Sequence, residues 1–201
     1  MDRKQLRREL RGRRRALSPR QRARYAQQLS RRLASHPLFW RARRIAVYLP
    51  NDAEMDLRPL MKRARAMGKR CYLPVISRLS HERLWFAEYR EGQALRPNLF
   101  GIPEPANGKW SGRSPVGLDL ILMPLVGFDE SGNRLGMGGG FYDRSLAYMK
   151  TRTRWRRPVL LGVAYECQKV DGLKNEAWDV PVNGVITEAS LYWDNDAPLP
   201  G

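Results

Sequence analysis

Between Asp119 and Arg144 an apolar run, DLILMPLV, gives way to a loop with four glycines in five residues: Gly136, Gly138, Gly139 and Gly140. The helix-compatible sequence FYDR follows. This order of strand, glycine loop and helix restricts the fold more than any other feature of the chain. Glycine admits positive φ and close backbone approach, so several amide N–H groups can converge on one point. Where that point is also a helix N-terminus, an anion is favoured by roughly 0.3–1 kcal/mol, and up to ~2 when partly buried. Arg134 just upstream offers bidentate pairing to phosphate, and Asp143 just downstream can hold a phosphate-bound Mg²⁺. A flexible turn is the alternative reading of the glycines alone. The loop is not a Walker motif, because no Gly-Lys-Ser/Thr follows. Phe141 stands where a dinucleotide fingerprint counted from Gly136 needs its third glycine.

The rest of the chain supplies the other parts of an α/β fold. Leu6, Leu10 and Leu17 form a sparse helical stripe. Ser18-Pro19-Arg20-Gln21 predicts a second start, with serine as cap, proline in the first position and glutamine three residues on. That helix carries Tyr25, Leu29 and Leu33 and ends at His36-Pro37. Strands are predicted at 44–49, 69–76, 82–89, 119–126, 157–164, 185–187 and 191–193. Helices are predicted at 56–67 and 141–150, and residues 90–117 read as surface loop around the turn FGIP. Strands alternating with helices predict a single-domain, open and largely parallel sheet with helices on both faces, a Rossmann-like three-layer α/β arrangement over 1–201. Ligands of such sheets bind beyond the carboxyl ends of the strands. Three loops should share that rim: Pro50 to Asp56 with Asp52, Glu54 and Asp56; the glycine loop; and the stretch from Tyr165-Glu166 to Trp178-Asp179.

Of the formal net charge of +17, nearly all belongs to residues 1–44, where 16 Lys and Arg oppose Asp2 and Glu9. Nucleic acid, an anionic membrane, a polyanionic small molecule or a mitochondrial address would each suit such a segment, as would a helix pair solvated by its arginines. Tyr25, Phe39 and Trp40 are its only aromatics, which argues against a single-strand stacking platform. No apolar run approaches the ~18 residues of a membrane span, and no signal-peptide core is present. Cys71 and Cys167 form no CxxC, so the expected protein is cytoplasmic with two reduced, buried thiols. With only His36 and His81, a histidine triad or multi-histidine zinc site is disfavoured. Backbone amides, arginines, carboxylates and Mg²⁺ remain, the toolkit of phosphoryl transfer.

The string NRLGMGGGFYDR after DLILMPLVGFDESG resembles the signature of the 5-formyltetrahydrofolate cyclo-ligase family. RKQLRRELRGRRRALS, YLPNDAEMD, FGIPEP and WDVPVNGVIT also resemble that family's sequences, so the likeness runs along nearly the whole chain. It implies an ATP- and Mg²⁺-dependent ring closure of 5-formyltetrahydrofolate to 5,10-methenyltetrahydrofolate, with release of ADP and phosphate. The substrate can carry a polyglutamate tail, and a monomer is expected. By position, the resemblance assigns Arg3, Arg7, Arg134, Leu135, Gly136, Met137, Gly138, Gly139, Gly140, Phe141 and Tyr142 to ATP. Leu49, Glu54 and Phe100 go to the folate pocket, together with Gly138, Gly139, Gly140 and Tyr142. Asp143 and Asp179 match the Mg²⁺ ligands, and Arg144 is a further candidate phosphate contact. Three positions depart from the common pattern. Arg3 stands where many members have lysine, Phe100 where many have tryptophan, and Gly139 where many carry lysine inside the loop. Arg134, Arg144 or an N-terminal arginine would then supply the missing charge. Nucleic-acid binding through residues 1–44 and a phosphosugar enzyme on a similar sheet are the competing readings.

Overall fold

The structure is a computed structural model that describes residues 2–77, 82–106, 112–151, 158–174 and 176–193. Helices α1 (Arg3–Arg15), α2 (Pro19–Ala34) and α3 (Pro37–Arg41) precede strand β1 (Arg44–Ala46). Helix α4 (Arg58–Ala66) leads to β2 (Arg70–Ile76) and β3 (Leu84–Glu88). A hairpin of β4 (Leu95–Pro97) and β5 (Pro103–Pro105) comes before β6 (Leu120–Pro124), and a second hairpin pairs β7 (Gly127–Phe128) with β8 (Arg134–Leu135). Then come α5 (Phe141–Leu146), β9 (Val159–Val163), β10 (Gly184–Ile186) and β11 (Leu191–Trp193).

Seven strands form one sheet in the order β11-β10-β9-β6-β1-β2-β3. Its interior strands β10, β9, β6, β1 and β2 run parallel, whereas β3 and β11 close the two edges antiparallel. The parallel strands are buried on both faces, which is why DLILMPLV reads as an unbroken apolar run. Ile45, Leu120, Leu122 and Leu161 pack under α2, α3 and α4, while Ala46, Ile121, Met123 and Leu160 share the opposite layer with Leu146 of α5. Helices therefore cover both faces, but unequally. The second helix starts as its sequence predicts: Gln21 N donates to Ser18 Oγ at 3.2 Å, and Ser18 N donates to Gln21 Oε1 at 2.9 Å.

Several expectations need correction. The stretch 90–117 holds the β4–β5 hairpin and a 3₁₀ turn at Pro115–Gly117, not only loop. Prolines at 97, 103 and 105 mask the strand pattern, and buried Glu104 fixes the hairpin by accepting from Ile76 N and Asn98 Nδ2, both at 2.9 Å. Pro37 ends α2 but also opens α3, where the His36 ring accepts from Leu38 N. The helix expected at 141–150 tightens to 3₁₀ after Leu146. Cys71 is buried, whereas Cys167 is only partly so. His81, Arg157 and residues 107–111 lie outside the described residues. Among the described residues no helix is long and apolar enough to cross a membrane.

Helix α1 is not part of the sheet layers but sits on the β7–β8 hairpin, where Leu10 packs with Val126 and Leu135. The close approach depends on Gly127, because a Cβ there would collide with Leu10 Cδ1. Gly127→Ala should therefore lower stability by about 1–3 kcal/mol, the usual cost of overpacking a tight contact. Chemical denaturation measures this; an unchanged midpoint would mean that α1 is not seated as described.

Candidate functional site

The sheet changes direction between β1 and β6. From β1 the chain winds outward through β2 and β3, and from β6 through β9 and β10. Open α/β sheets bind ligands in the crevice at such a switch point, beyond the carboxyl ends of the strands. The loop after β1 carries Asp52 and Glu54, the stretch after β6 carries the glycine loop, and the segment after β9 leads to Asp179. The three loops expected to share a rim do so.

One face of α1 is what joins them. Arg3, Arg7, Arg11 and Arg14 recur at intervals of four, four and three, which is one side of a helix. Arg3 reaches the last loop, with Nη1 3.2 Å from Lys174 O and Nη2 3.4 Å from Asp179 Oδ2. Arg7 Nε donates to Gly136 O at 2.8 Å. Arg11 Nε and Arg14 Nη2 donate to Asp52 Oδ2 at 2.7 and 2.8 Å, and Arg15 bonds the other oxygen. Arg14 is completely buried, and its Nε also donates to Asp52 O at 2.9 Å. Sequence reasoning assigned Arg3 and Arg7 but not Arg11, Arg14, Arg15 or the anchoring role of Asp52. The helical spacing was available as a signal, but it was hidden among many other arginines.

Asp52 and Ala53 both have positive φ, at 49° and 61°. Two consecutive non-glycine residues in this region cost of order 1–3 kcal/mol each and persist only when surrounding contacts hold them. Here the arginine cluster holds them. The turn then presents Glu54, whose Oε2 accepts from Asn51 N at 3.1 Å and whose Oε1 lies 3.9 Å from Arg14 Nη1. Burial pushes the Glu54 carboxyl up, against the opposing pulls of the Asn51 amide and Arg14. Tyr48 and Tyr142 are raised in turn, first by burial and then by the Glu54 charge. Tyr142, at the end of the glycine loop, is thus close enough to Glu54 to feel its charge. Leu49 lies at the mouth of the loop, packed against the main core.

The glycine loop itself is open: Met137, Gly138 and Gly139 are exposed. Gly138 and Gly140 take φ of 101° and 63°, which L-residues avoid. Leu135 is buried and anchors the loop's start. Arg7 flanks the loop, 3.6 Å from where a Cβ on Gly138 would stand. Arg144 flanks it from the other side: Nη2 donates to Gly139 O at 2.7 Å, and the guanidinium lies 5.3 Å from the Phe141 ring centre. A Cβ on Gly139 would come within 3.1–3.2 Å of that ring. Phe100, on the β4–β5 turn, meets Phe141 edge-on with centres 5.4 Å apart.

The two aspartates expected at a metal lie on either side of one turn. Asp143 Oδ1 accepts from Val180 N at 3.0 Å and pairs with Arg134, whose Nε donates to Val180 O at 2.9 Å. Asp179 Oδ2 accepts from Glu176 N at 3.0 Å as well as from Arg3. Arg134 thus orients Asp143 instead of standing open to solvent. No cluster of three or more His, Cys, Asp or Glu suited to a metal occurs among the described residues. Two carboxylates with phosphate oxygens and water nonetheless fit Mg²⁺, and each aspartate's bonds fall on one oxygen, leaving the other for an ion.

Burial opposes ionisation of Asp52, yet hydrogen bonds from Arg11, Arg15 and Arg14 outweigh it and hold the carboxyl below the ordinary 3.8. Its stabilising contribution is therefore complete above that value and lost as pH falls through the lower folded value. Asp52→Asn should cost about 3 kcal/mol at neutral pH, because Arg14 is left buried without its counter-charge. It should also flatten the loss of stability below about pH 4. Urea melts from pH 3 to 7 measure both effects; parallel curves for the two proteins would remove Asp52 from the acid response.

Comparison with known proteins agrees with the geometry. The profile of the 5-formyltetrahydrofolate cyclo-ligase family matches residues 1–188. A 5-formyltetrahydrofolate cyclo-ligase of Escherichia coli K12 is 40% identical over 186 residues, covering 91% of this chain and 98% of that protein. The mouse protein of that name is 31% identical over 191 residues, covering 92% and 93%. A solution structure of Aquifex aeolicus 5,10-methenyltetrahydrofolate synthetase superposes with a TM-score of 0.81 at 31% identity, covering 100% of this chain and 97% of that one. A 5,10-methenyltetrahydrofolate synthetase from Mycoplasma pneumoniae gives 0.71 at 25% identity, covering 94% and 99%. With the family profile matched over residues 1–188 and relatives alike along nearly their whole length, the chain belongs to the 5-formyltetrahydrofolate cyclo-ligase family.

Proposed function

We propose that this enzyme closes 5-formyltetrahydrofolate to 5,10-methenyltetrahydrofolate at the expense of ATP. The observation that carries the reading is the juxtaposition at the switch point of an open, arginine-flanked glycine loop and a largely buried carboxylate, Glu54. The loop suits a polyphosphate. The carboxylate suits the N–H donors of a pterin, and Tyr142 at the end of the loop feels its charge.

In this reading the γ-phosphoryl group of ATP passes to the formyl oxygen on N5, and ADP leaves. N10 attacks the formyl carbon, its proton departs, and the C–O bond breaks with the oxygen leaving as phosphate. A formyl amide is a poor electrophile until its oxygen is a leaving group. The chain therefore serves mainly by placing two ligands and balancing phosphate charge. The loop amides and Arg7 hold the phosphates. Asp143 and Asp179 hold Mg²⁺, which when bound neutralises charge on the phosphate oxygens. Arg134 and Arg3 keep those aspartates oriented. Leu49 and Phe100 border the folate ring system, and Glu54 takes its donor edge.

The charge missing at Gly139 is supplied by Arg144 together with Arg7. Arg134 and Arg3 are each paired with an aspartate, whereas Arg7 and Arg144 bond backbone carbonyls of the loop. Arg144 Nε also donates to Glu82 O at 3.1 Å, but the Glu82 carboxylate is exposed and 3.9 Å away, where solvent screens the pair. The remaining arginines of α1 and α2, among them Arg31 and Arg32 beside Gln28 and Ser35, offer cationic ground for a polyglutamate tail. Affinity for a tailed substrate should then fall with salt faster than affinity for the monoglutamate.

Purified protein given 5-formyltetrahydrofolate, Mg²⁺ and ATP should produce the near-ultraviolet absorbance of the methenyl product, and only with ATP present. Absence of that rise from folded protein would reject the reading. Asp143→Asn retains the bond to Val180 N but loses charge, and should cut turnover about 10²-fold with little change in melting; unchanged turnover at limiting Mg²⁺ would remove Asp143 from the metal site. Arg144→Ala should raise KM for ATP about tenfold, roughly the loss of one charge-assisted hydrogen bond. Adding Gly139→Lys should recover part of it, and a KM for ATP unaffected by Arg144→Ala would return the compensating role to the N-terminal arginines.

A further inference from the structure

Arg14 has more hydrogen-bonding capacity committed than a helix-packing residue needs. It is the largest completely buried side chain in the described residues. A buried guanidinium is costly unless its donors are satisfied and its charge balanced. Its Nε and Nη2 are taken by the backbone and carboxylate oxygens of Asp52. Its Nη1 lies 3.5 Å from Leu125 O, just beyond the end of β6, and 3.9 Å from Glu54 Oε1. One planar group thus spans the loops after β1 and β6, the two strands that flank the switch point.

The groups around Glu54 make Arg14 the decisive neighbour. From its own loop come Asn51 N and Asp52, the second a like charge. Arg11 and Arg14 face it from α1 and both bond Asp52, but Arg14 also brings Nη1 to 3.9 Å from Glu54 Oε1. Tyr48 of the β1 end and Tyr142 of α5 are neutral phenols. The Tyr165 hydroxyl donates to Glu54 O at 3.3 Å, so it holds the backbone and not the carboxylate. Burial resists the charged form of Glu54, and a protonated carboxyl would lose half its acceptors toward a pair of N–H donors.

We propose that Arg14 is the positioning residue of the folate subsite, locking the strained 51–54 turn through Asp52 and supplying the positive charge beside which Glu54 receives the pterin's N–H donors as a carboxylate. The inference rests on the assignment of folate to Glu54. It places no atom of Arg14 on the substrate. Arg14 acts through Glu54, so its effect falls on folate binding more than on turnover. It also couples the folate loop to the helix that carries Arg3 and Arg7, about three and two turns back toward the nucleotide.

Steady-state kinetics at saturating Mg²⁺ and ATP from pH 5.5 to 9 test this in wild type, Arg14→Met, Arg14→Lys and Glu54→Gln, with melting curves for each. Arg14→Met should raise KM for 5-formyltetrahydrofolate at least tenfold at pH 7, with the larger share of the kcat/KM loss in KM. The acid limb of its kcat/KM profile should move up by about one pH unit, as a buried acid does on losing its neighbouring charge. Arg14→Lys keeps the charge without the fork and should keep the wild-type limb despite a lower melting temperature. That second variant reads the role even where Arg14→Met does not fold. An unshifted limb in folded Arg14→Met, or a limb in Arg14→Lys displaced by a full unit, overturns the proposal. If Glu54→Gln leaves KM for the folate unchanged, the folate assignment itself has failed. If Glu54→Gln raises KM and Arg14→Met does not, only the role of Arg14 is lost.

Discussion

The buried contact between Arg14 and Asp52 is the constraint on which the rest of the site depends. A guanidinium with no solvent exposure must find acceptors in fixed places, and it finds them on a turn that the backbone alone would not adopt. Helix α1 sits on the β7–β8 hairpin outside the sheet layers, yet its arginines touch each of the three rim loops. Leu10 against Gly127 sets its height and the arginine fork sets its rotation. The helix is therefore a wall of the crevice and not an appendage on a finished domain. Strain in the 52–53 turn is offset by the same bonds that aim Glu54, so stability and recognition draw on one cluster.

This view changes the meaning of the chain's charge. A net +14 over the first 44 residues invites a nucleic-acid or membrane reading when treated as a patch. In the fold, Arg3, Arg7, Arg11, Arg14 and Arg15 point inward to carboxylates and carbonyls of distant loops. The arginines of the outer faces of α1 and α2, with Arg41 and Arg43 beyond them, form a solvent-facing field. Arg3, Arg11, Arg14 and Arg134 pair with aspartates, whereas Arg7 and Arg144 bond the carbonyls of Gly136 and Gly139 in the glycine loop.

The sheet was legible because its signals are local. An apolar run such as DLILMPLV buries on both faces, and Ser18-Pro19-Arg20-Gln21 caps a helix wherever it occurs. The glycine loop and the rim carboxylates could be placed because parallel strands put their carboxyl ends together. What stayed hidden depends on contacts across the chain. The β4–β5 hairpin has too few residues and too many prolines to show a period, and it is Glu104, bonding to β2 and Asn98, that ties it to the sheet. Positive φ at Asp52 and Ala53 carries no glycine to announce it. Arg134 reads as a phosphate ligand from its place beside the loop, and its pairing with Asp143 and Val180 appears only once α5 and the 176–180 turn are folded together. The resemblance to cyclo-ligases nominated candidate residues, while the structure supplies which of them hold the others in place.

The central claim is that α1 couples the nucleotide loop to the folate loop. Amide hydrogen exchange with and without MgATP, in the absence of any folate, tests it most directly. The account predicts that MgATP slows exchange in residues 134–144, along α1, and also in residues 51–56. Protection confined to 134–144, with α1 and 51–56 unchanged, would contradict it.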